Sequence, residues 1–355
     1  MADNGLLFIP DISGFTKFVN ETEIEHSRII IEELLENIIN SNKIGLNISE
    51  VEGDAILFYR FGDSPSMEEI SNQVEKMFCN FQKQIKTYEE SRMCVCAACR
   101  SAVNLSLKII THYGEFSSYS VKEFNKLIGK DVIVAHQLLK NDIDLHEYWL
   151  VTNNLFNVKS NMPLAEWLKW QQGNKVTENG SIGFNYSMLT PLKEKVQPDL
   201  PNDDLTLGNN KIEIASVTQT INADFIKVLS IMGNLSIRHT WQAGVKSIKN
   251  VNHPIYHLGI RFTAVTNKGT TVFYSSSFTD QNNRFCMSET DANKTQSLYI
   301  TLESIADNKT CVTLDFYIPR KLFSNLYSLF IKKKVEKNLQ QSLINLQQLL
   351  SENVV

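Results

Sequence analysis

No stretch of this chain holds the 18 or so consecutive apolar residues needed to cross a bilayer. Its opening "MADNGLL" also lacks the charged-then-apolar order of a signal peptide. The expectation is a cytoplasmic protein with no stable membrane association. Cysteine is scarce and uneven: the six residues at 79, 94, 96, 99, 286 and 311 give no secreted disulfide framework. Three of them crowd together, which suits metal binding or redox chemistry in a reducing compartment. A basic excess is missing too. Net charge is −4, and residues 1–202 carry 19 Lys plus Arg against 27 Asp plus Glu, so nonspecific nucleic-acid binding is not expected. Internal repeats and low-complexity tracts are absent.

What is present is ordinary globular material, 43% hydrophobic and 21% charged. A chain of 355 residues exceeds the usual size of one core, so two domains are expected. "SRIIIEELLENIINSN" and "SMEEISNQVEKMFCNFQKQIKTYEES" carry helical stripes. "ISEVEGDAILFYRF" reads as a hairpin turning at Gly53-Asp54, and "SAVNLSLKIITHYGEF" and "YWLVTNNLF" read as strands. "FNKLIGKDVIVAHQLLKND" reads as a loop leading into a helix. The resulting β-α-β-β-α-β order predicts an α+β, ferredoxin-like sheet with helices on one face.

Prolines, aspartates and asparagines gather in "LKEKVQPDLPNDDLTLGNN", which predicts a linker with the boundary at 202/203. Beyond it come a strand, a short helix and successive antiparallel strands. A long final helix follows, with Leu326, Leu329, Val335, Leu339, Leu343, Leu346 and Leu350 on one stripe.

Two aspartates carry the first candidate site. Asp11 ends the apolar run "FIPD", and Asp54 sits in the hairpin turn of a strand expected beside it. One reading is a helix cap and a plain turn. The other is a carboxylate pair that needs a divalent cation. In the second reading, the backbone amides from Ile12 to Thr16 open a helix whose N-terminus suits phosphate.

"FIPDISGFTKF" together with "EVEGDAILF" resembles the metal-binding signature of the class III nucleotidyl (adenylate/guanylate) cyclases, over roughly residues 1–200. In that family an aspartate, isoleucine, x, glycine, phenylalanine, threonine motif is followed about forty residues on by a second aspartate after a glycine. The resemblance implies the cyclase-type fold and Mg or Mn held by Asp11, Asp54 and the Ile12 backbone. It also implies a nucleoside triphosphate bound near Ser13, Gly14, Phe15 and Thr16, and a homodimer.

The catalytic half departs from the family. The stretch that supplies an asparagine and an arginine reads "GKDVIVAHQ" here, with Ile133 and Gln137 at those positions. Neither can give the charge that a pentavalent phosphate requires. At the base-reading positions Glu50 replaces the adenylyl lysine and Lys126 the aspartate. The expectation is a degenerate, binding or regulatory domain; the alternative is a divergent active cyclase.

A second candidate lies in "RMCVCAACRSAVNLSLKIITHYGEF". Cys94, Cys96 and Cys99, with His112 on the following strand, have the ligand types of zinc or an iron–sulfur centre. The cluster also resembles that of an uncharacterised bacterial family of cyclase-like proteins. Residues 203–355, through "RHTWQAGV" and the strand-then-helix order, resemble the START-like (SRPBCC, polyketide-cyclase-like) superfamily. That resemblance implies a curved antiparallel sheet gripping the last helix, with His239 and Trp241 lining a pocket for a small hydrophobic ligand.

Overall fold

The computed structural model describes residues 3–122, 124–156, 165–177, 180–201, 204–281, 283–320 and 324–352. The chain forms two compact units. The first comprises Met1–Glu89 and Ala97–Asp199, and the second Glu90–Cys96 and Leu200–Val355. The linker boundary expected at 202/203 falls on residues outside those described.

The first unit is a mixed α+β structure. Its strands are β1 (Asp3–Ser13), β2 (Asn47–Glu52), β3 (Ala55–Phe61), β4 (Ser106–Val121), β5 (Phe124–Ile128), β6 (Tyr148–Thr152), β7 (Gln171–Thr177) and β8 (Gly180–Met188). They follow the order β2-β3-β1-β4-β6-β8-β7, with β5 paired to β4 alone. Among the described residues, only β4 and β6 pair in parallel.

Strand β1 is central, and its residues Leu6 to Ile9 are buried on both faces, which explains an apolar run without alternation. Leu7 and Ile9 share a core with Leu57, Ile110 and Leu150 of the sheet and with Val132, Ala135 and Leu138 of helix α5 (Lys130–Leu139). The 132, 135, 138 spacing gives that helix one apolar stripe.

Helices α1 (Phe15–Glu21), α2 (Ile24–Asn40), α3 (Met67–Ser91) and α4 (Ala97–Ser101) complete the elements relevant to the site. Polar side chains join α2 to α3: Gln73 Nε2 donates to the Ser41 carbonyl and Asn80 Nδ2 to the Ser41 hydroxyl. The stretch at 124–128, expected as a loop, is strand β5. It forms a hairpin with the far end of β4, from Ser117↔Ile128 to Val121↔Phe124.

The second unit is a seven-stranded, wholly antiparallel sheet. Its strands are β9 (Lys211–Ile221), β10 (Val245–Lys249), β11 (Arg261–Thr266), β12 (Gly269–Gln281), β13 (Arg284–Asp291), β14 (Ser297–Ala306) and β15 (Lys309–Pro319). The order is β10-β11-β12-β13-β14-β15-β9. The 28-residue helix Ser324–Ser351 lays Leu339, Leu343, Leu346 and Leu350 into a core with Phe262, Phe285, Ile300, Leu314 and Trp241. Their 4-3-4 spacing keeps them on one helix face. Met93 and Val95, from the short segment 90–96, belong to the same core.

Candidate functional site

Asp11 lies near the end of β1, opposite Ala55 on one side and Lys108 on the other. The β2–β3 turn supplies Asp54. Gly53 takes φ +61 there, a left-handed conformation that glycine adopts at little cost. The Asp54 carbonyl accepts a hydrogen bond from the Ile12 amide at 3.0 Å, pinning the turn against the strand that carries Asp11. The sheet thus brings together the two aspartates and Ile12.

Their electrostatics match that proximity. Burial pushes the Asp11 carboxyl up to about 6 against the pull of Lys108, and the neighbouring Asp54 charge pushes the same way. Burial also raises Asp54. Lys108 Nζ stands 3.5 Å from Asp11 Oδ2 and donates to the Leu139 carbonyl at 3.2 Å. Two partly desolvated carboxylates with, among the described residues, the Lys108 ammonium as their neighbouring cation are under-compensated oxygen donors. That donor chemistry fits Mg or Mn.

Behind Asp11, β1 ends at Ser13, and the buried Ser13 hydroxyl has no hydrogen-bond partner among the described residues. Gly14 turns the chain at φ +90 into α1, which is seven residues long. Its carbonyl accepts from the Phe18 amide at 3.0 Å. Phe15 lies beside the β2–β3 turn, 3.8 Å from where a Cβ on Gly53 would stand, while Thr16 is exposed.

Glu50 and Lys126 form an ion pair, and His136 Nε2 lies 3.9 Å from the other Glu50 oxygen. The hydrogen bond to Glu50 raises the Lys126 pKa. Ile133 on α5 is 54% exposed and Gln137 is half-buried.

His112 is not with the cysteines. Its Nε2 donates to Asp131 Oδ1 at 2.9 Å and its Nδ1 accepts from the Thr152 hydroxyl at 2.8 Å, while burial lowers its pKa against the pull of Asp131. Both ring nitrogens are committed, because Asp131 also accepts from the Glu115 amide and fixes the start of α5 against β4. The imidazole beside Cys99 is that of His26, whose Nδ1 is 3.6 Å from Cys99 Sγ. In sequence His26 stands 73 positions from Cys99, and nothing but its place on α2 joins them.

The second unit corrects another expectation. His239 is exposed, so it lines no interior, and Trp241 is fully buried in the packed core. The residue that sequence reading passed over is their neighbour Arg238, which is fully buried. It donates to both Glu289 oxygens at 3.0 and 2.8 Å and to the Met232 carbonyl at 3.0 Å. Tyr256 donates to the same carboxylate. A signal existed: Arg238 falls three residues after Leu235 and three before Trp241, an apolar position.

Among the described residues no helix is long and apolar enough to cross a membrane. The family model described as a protein of unknown function, DUF2652, matches residues 31–148. An uncharacterized protein of Mycobacterium tuberculosis, Rv2561/Rv2562, is 32% identical over 121 residues, covering 34% of this chain. The match spans about half, 56%, of that relative's length.

Similar solved structures include the catalytic core of a rhodopsin-guanylyl cyclase with converted specificity in complex with ATPalphaS. It shows 14% identity over 53% of this chain and 96% of that one, with a TM-score of 0.39. A bacterial light-regulated adenylyl cyclase gives 13%, 55%, 96% and 0.38 in the same order. An uncharacterized protein from Bacillus thuringiensis gives 14%, 39%, 98% and 0.31. At these scores the likenesses carry no argument about function.

Proposed function

We infer that the first unit is a class III cyclase-like domain that binds a divalent cation and the phosphates of a nucleoside triphosphate without efficient turnover. The observation that carries this reading is the Asp11 and Asp54 pair, held together by the Ile12 to Asp54 backbone bond and both raised by burial. The unpartnered Ser13 hydroxyl beside it supplies a donor for a phosphate oxygen. Asp11, Asp54 and the Ile12 backbone would hold Mg or Mn, which when bound neutralises the carboxylates and the phosphates.

Binding without chemistry follows from what α5 offers. The Ile133 side chain has no polar atom and that of Gln137 no charge, at the two positions where cyclases carry asparagine and arginine. Losing such help typically costs several kcal/mol of barrier. Glu50 and Lys126 are committed to each other, so the base-reading pair is also preoccupied. A homodimer belongs to the same reading, and Val51, Tyr119, Val121, Ile128 and Ile133 leave apolar surface exposed for it.

The second unit enters as a START-like helix grip. Trp241, Phe262, Phe285 and the leucines of the final helix share one buried core there, and no hydrophobic ligand is proposed for it.

The test is Mn²⁺-dependent binding of labelled nucleoside triphosphates, with product analysis, on wild type and Asp11→Asn/Asp54→Asn protein. Binding that needs both aspartates and yields no cyclic product supports the reading. Sustained cyclic nucleotide formation that disappears in the double variant would overturn the no-turnover half, and binding indifferent to the double variant would overturn the site.

A further inference from the structure

We propose that Lys108 is a built-in counter-cation of the Asp11 and Asp54 site, which a divalent ion must displace, so that ion binding frees the C-terminus of α5. This deepens the cation reading given above and rests on it.

Lys108 is placed for this by the sheet. Asp11↔Lys108 is a register pair between β1 and β4, so both side chains leave the sheet on the same face as direct neighbours. The Lys108 side chain is only 19% exposed, and its ammonium divides between two acceptors. One is Asp11 Oδ2 at 3.5 Å; the other is the carbonyl of Leu139, the last residue of α5, at 3.2 Å. A helix C-terminus carries unsatisfied carbonyls and partial negative charge, which a cation stabilises. A single side chain therefore joins the carboxylate site to the end of the helix that carries Ile133 and Gln137.

A divalent ion on Asp11 would share that carboxylate with an ammonium at contact range. In a partly buried setting such like-charge repulsion is not screened away. The lysine stem is flexible, so the ammonium can swing out and leave the Leu139 carbonyl without its donor. Two consequences follow. The site binds divalent ions more weakly than its carboxylates alone would, and filling it loosens the last turn of α5.

The experiment is Mn²⁺ titration of the full chain, read from the electron paramagnetic resonance signal of the free ion, on wild type, Lys108→Gln, Lys108→Arg and Asp11→Asn/Asp54→Asn. Expected are a Lys108→Gln affinity at least about tenfold tighter than wild type, no gain for Lys108→Arg, and loss in the double variant. Hydrogen exchange of the wild type needs no variant: Mg²⁺ is expected to speed exchange at the α5 C-terminus. Unchanged or weaker Mn²⁺ binding in Lys108→Gln, or α5 exchange unmoved by a saturating ion, overturns this proposal while leaving the cation site standing. Wild-type binding that survives in the double variant sinks the site itself.

Discussion

Asp11 shows how one buried group sets both a site and a stability profile. Its carboxyl is raised to about 6 in the folded protein from an ordinary 3.8. A raised acid favours the folded state fully below its unfolded value, and that contribution is lost as pH climbs through about 6. The ion-free protein therefore loses stability between roughly pH 4 and 6 on this account. Asp11→Asn removes the penalty: at pH 7 it is expected to melt above wild type, with a gain in unfolding free energy capped near about 3 kcal/mol and reduced because Lys108 loses its partner. At pH 3.5 the two should coincide; equal melting curves at both pH values would refute this. Gly53 makes a companion case. A Cβ there meets only the Phe15 ring at 3.8 Å, so Gly53→Ala costs backbone strain alone at φ +61, about 1 kcal/mol by urea denaturation. The pairing of Asp11 with Asp54 was legible because both fall at strand ends of a readable topology. His26 was not, because the α2 residue that meets Cys99 depends on how helices pack, which residue spacing does not encode.

At the scale of elements, the apolar pattern exposed the central pieces and missed the edges. β1, α3 and the leucine stripe of the last helix are strongly periodic or wholly apolar, so their sequences suffice. β7, in contrast, reads "QQGNKVT" and is mostly exposed, an edge strand whose pairing with β8 rather than its own burial makes it a strand. β5 escaped for the same reason, since it exists only as the return of a hairpin on β4. Arg238 sits at an apolar position by its spacing from Leu235 and Trp241, but the residue that makes its burial tolerable, Glu289 on β13, lies 51 positions away and is not marked by any local pattern. That pair has a measurable signature. Glu289→Ala leaves a fully buried guanidinium uncompensated and should cost about 3–5 kcal/mol in urea denaturation followed on the second unit. Replacing both partners, Arg238→Met with Glu289→Met, is expected to recover part of that loss, because the pair then buries no charge, while the Tyr256 hydroxyl and the Met232 carbonyl each lose a partner. A double variant as unstable as Glu289→Ala alone would mean that the ion pair does more than satisfy itself.

For the whole molecule, the linear picture of one domain followed by another omits a short exchange of chain. Residues 90–96, which precede β4 of the first unit, fold with the second. Arg92 forms an isolated bridge with His257, the Met93 amide donates to the Tyr256 carbonyl at 3.2 Å, and the Leu258 amide donates to the Ser91 carbonyl at 2.8 Å. Met93 and Val95 then enter the core that the final helix closes. Composition points to a linker near residue 200 because prolines and aspartates gather there. It gives no sign of the earlier excursion, whose residues resemble any helix-to-strand connection. The consequence can be tested by cutting the chain. A fragment of residues 200–355 keeps every named strand of the second unit but loses two core side chains and the backbone bonds around Tyr256. Removing one buried methionine side chain typically costs about 2–5 kcal/mol, and about 1 kcal/mol moves the midpoint of a domain this size by roughly 2–4 °C. The fragment should therefore melt at least about 5 °C below the second-unit transition of the full chain. A synthetic peptide of residues 88–98, added in excess, should restore part of that gap, because binding only the folded fragment stabilises it by mass action. A peptide with Met93→Asp should not. A fragment that melts with the full chain and ignores the peptide would show that residues 90–96 decorate the second unit without supporting it.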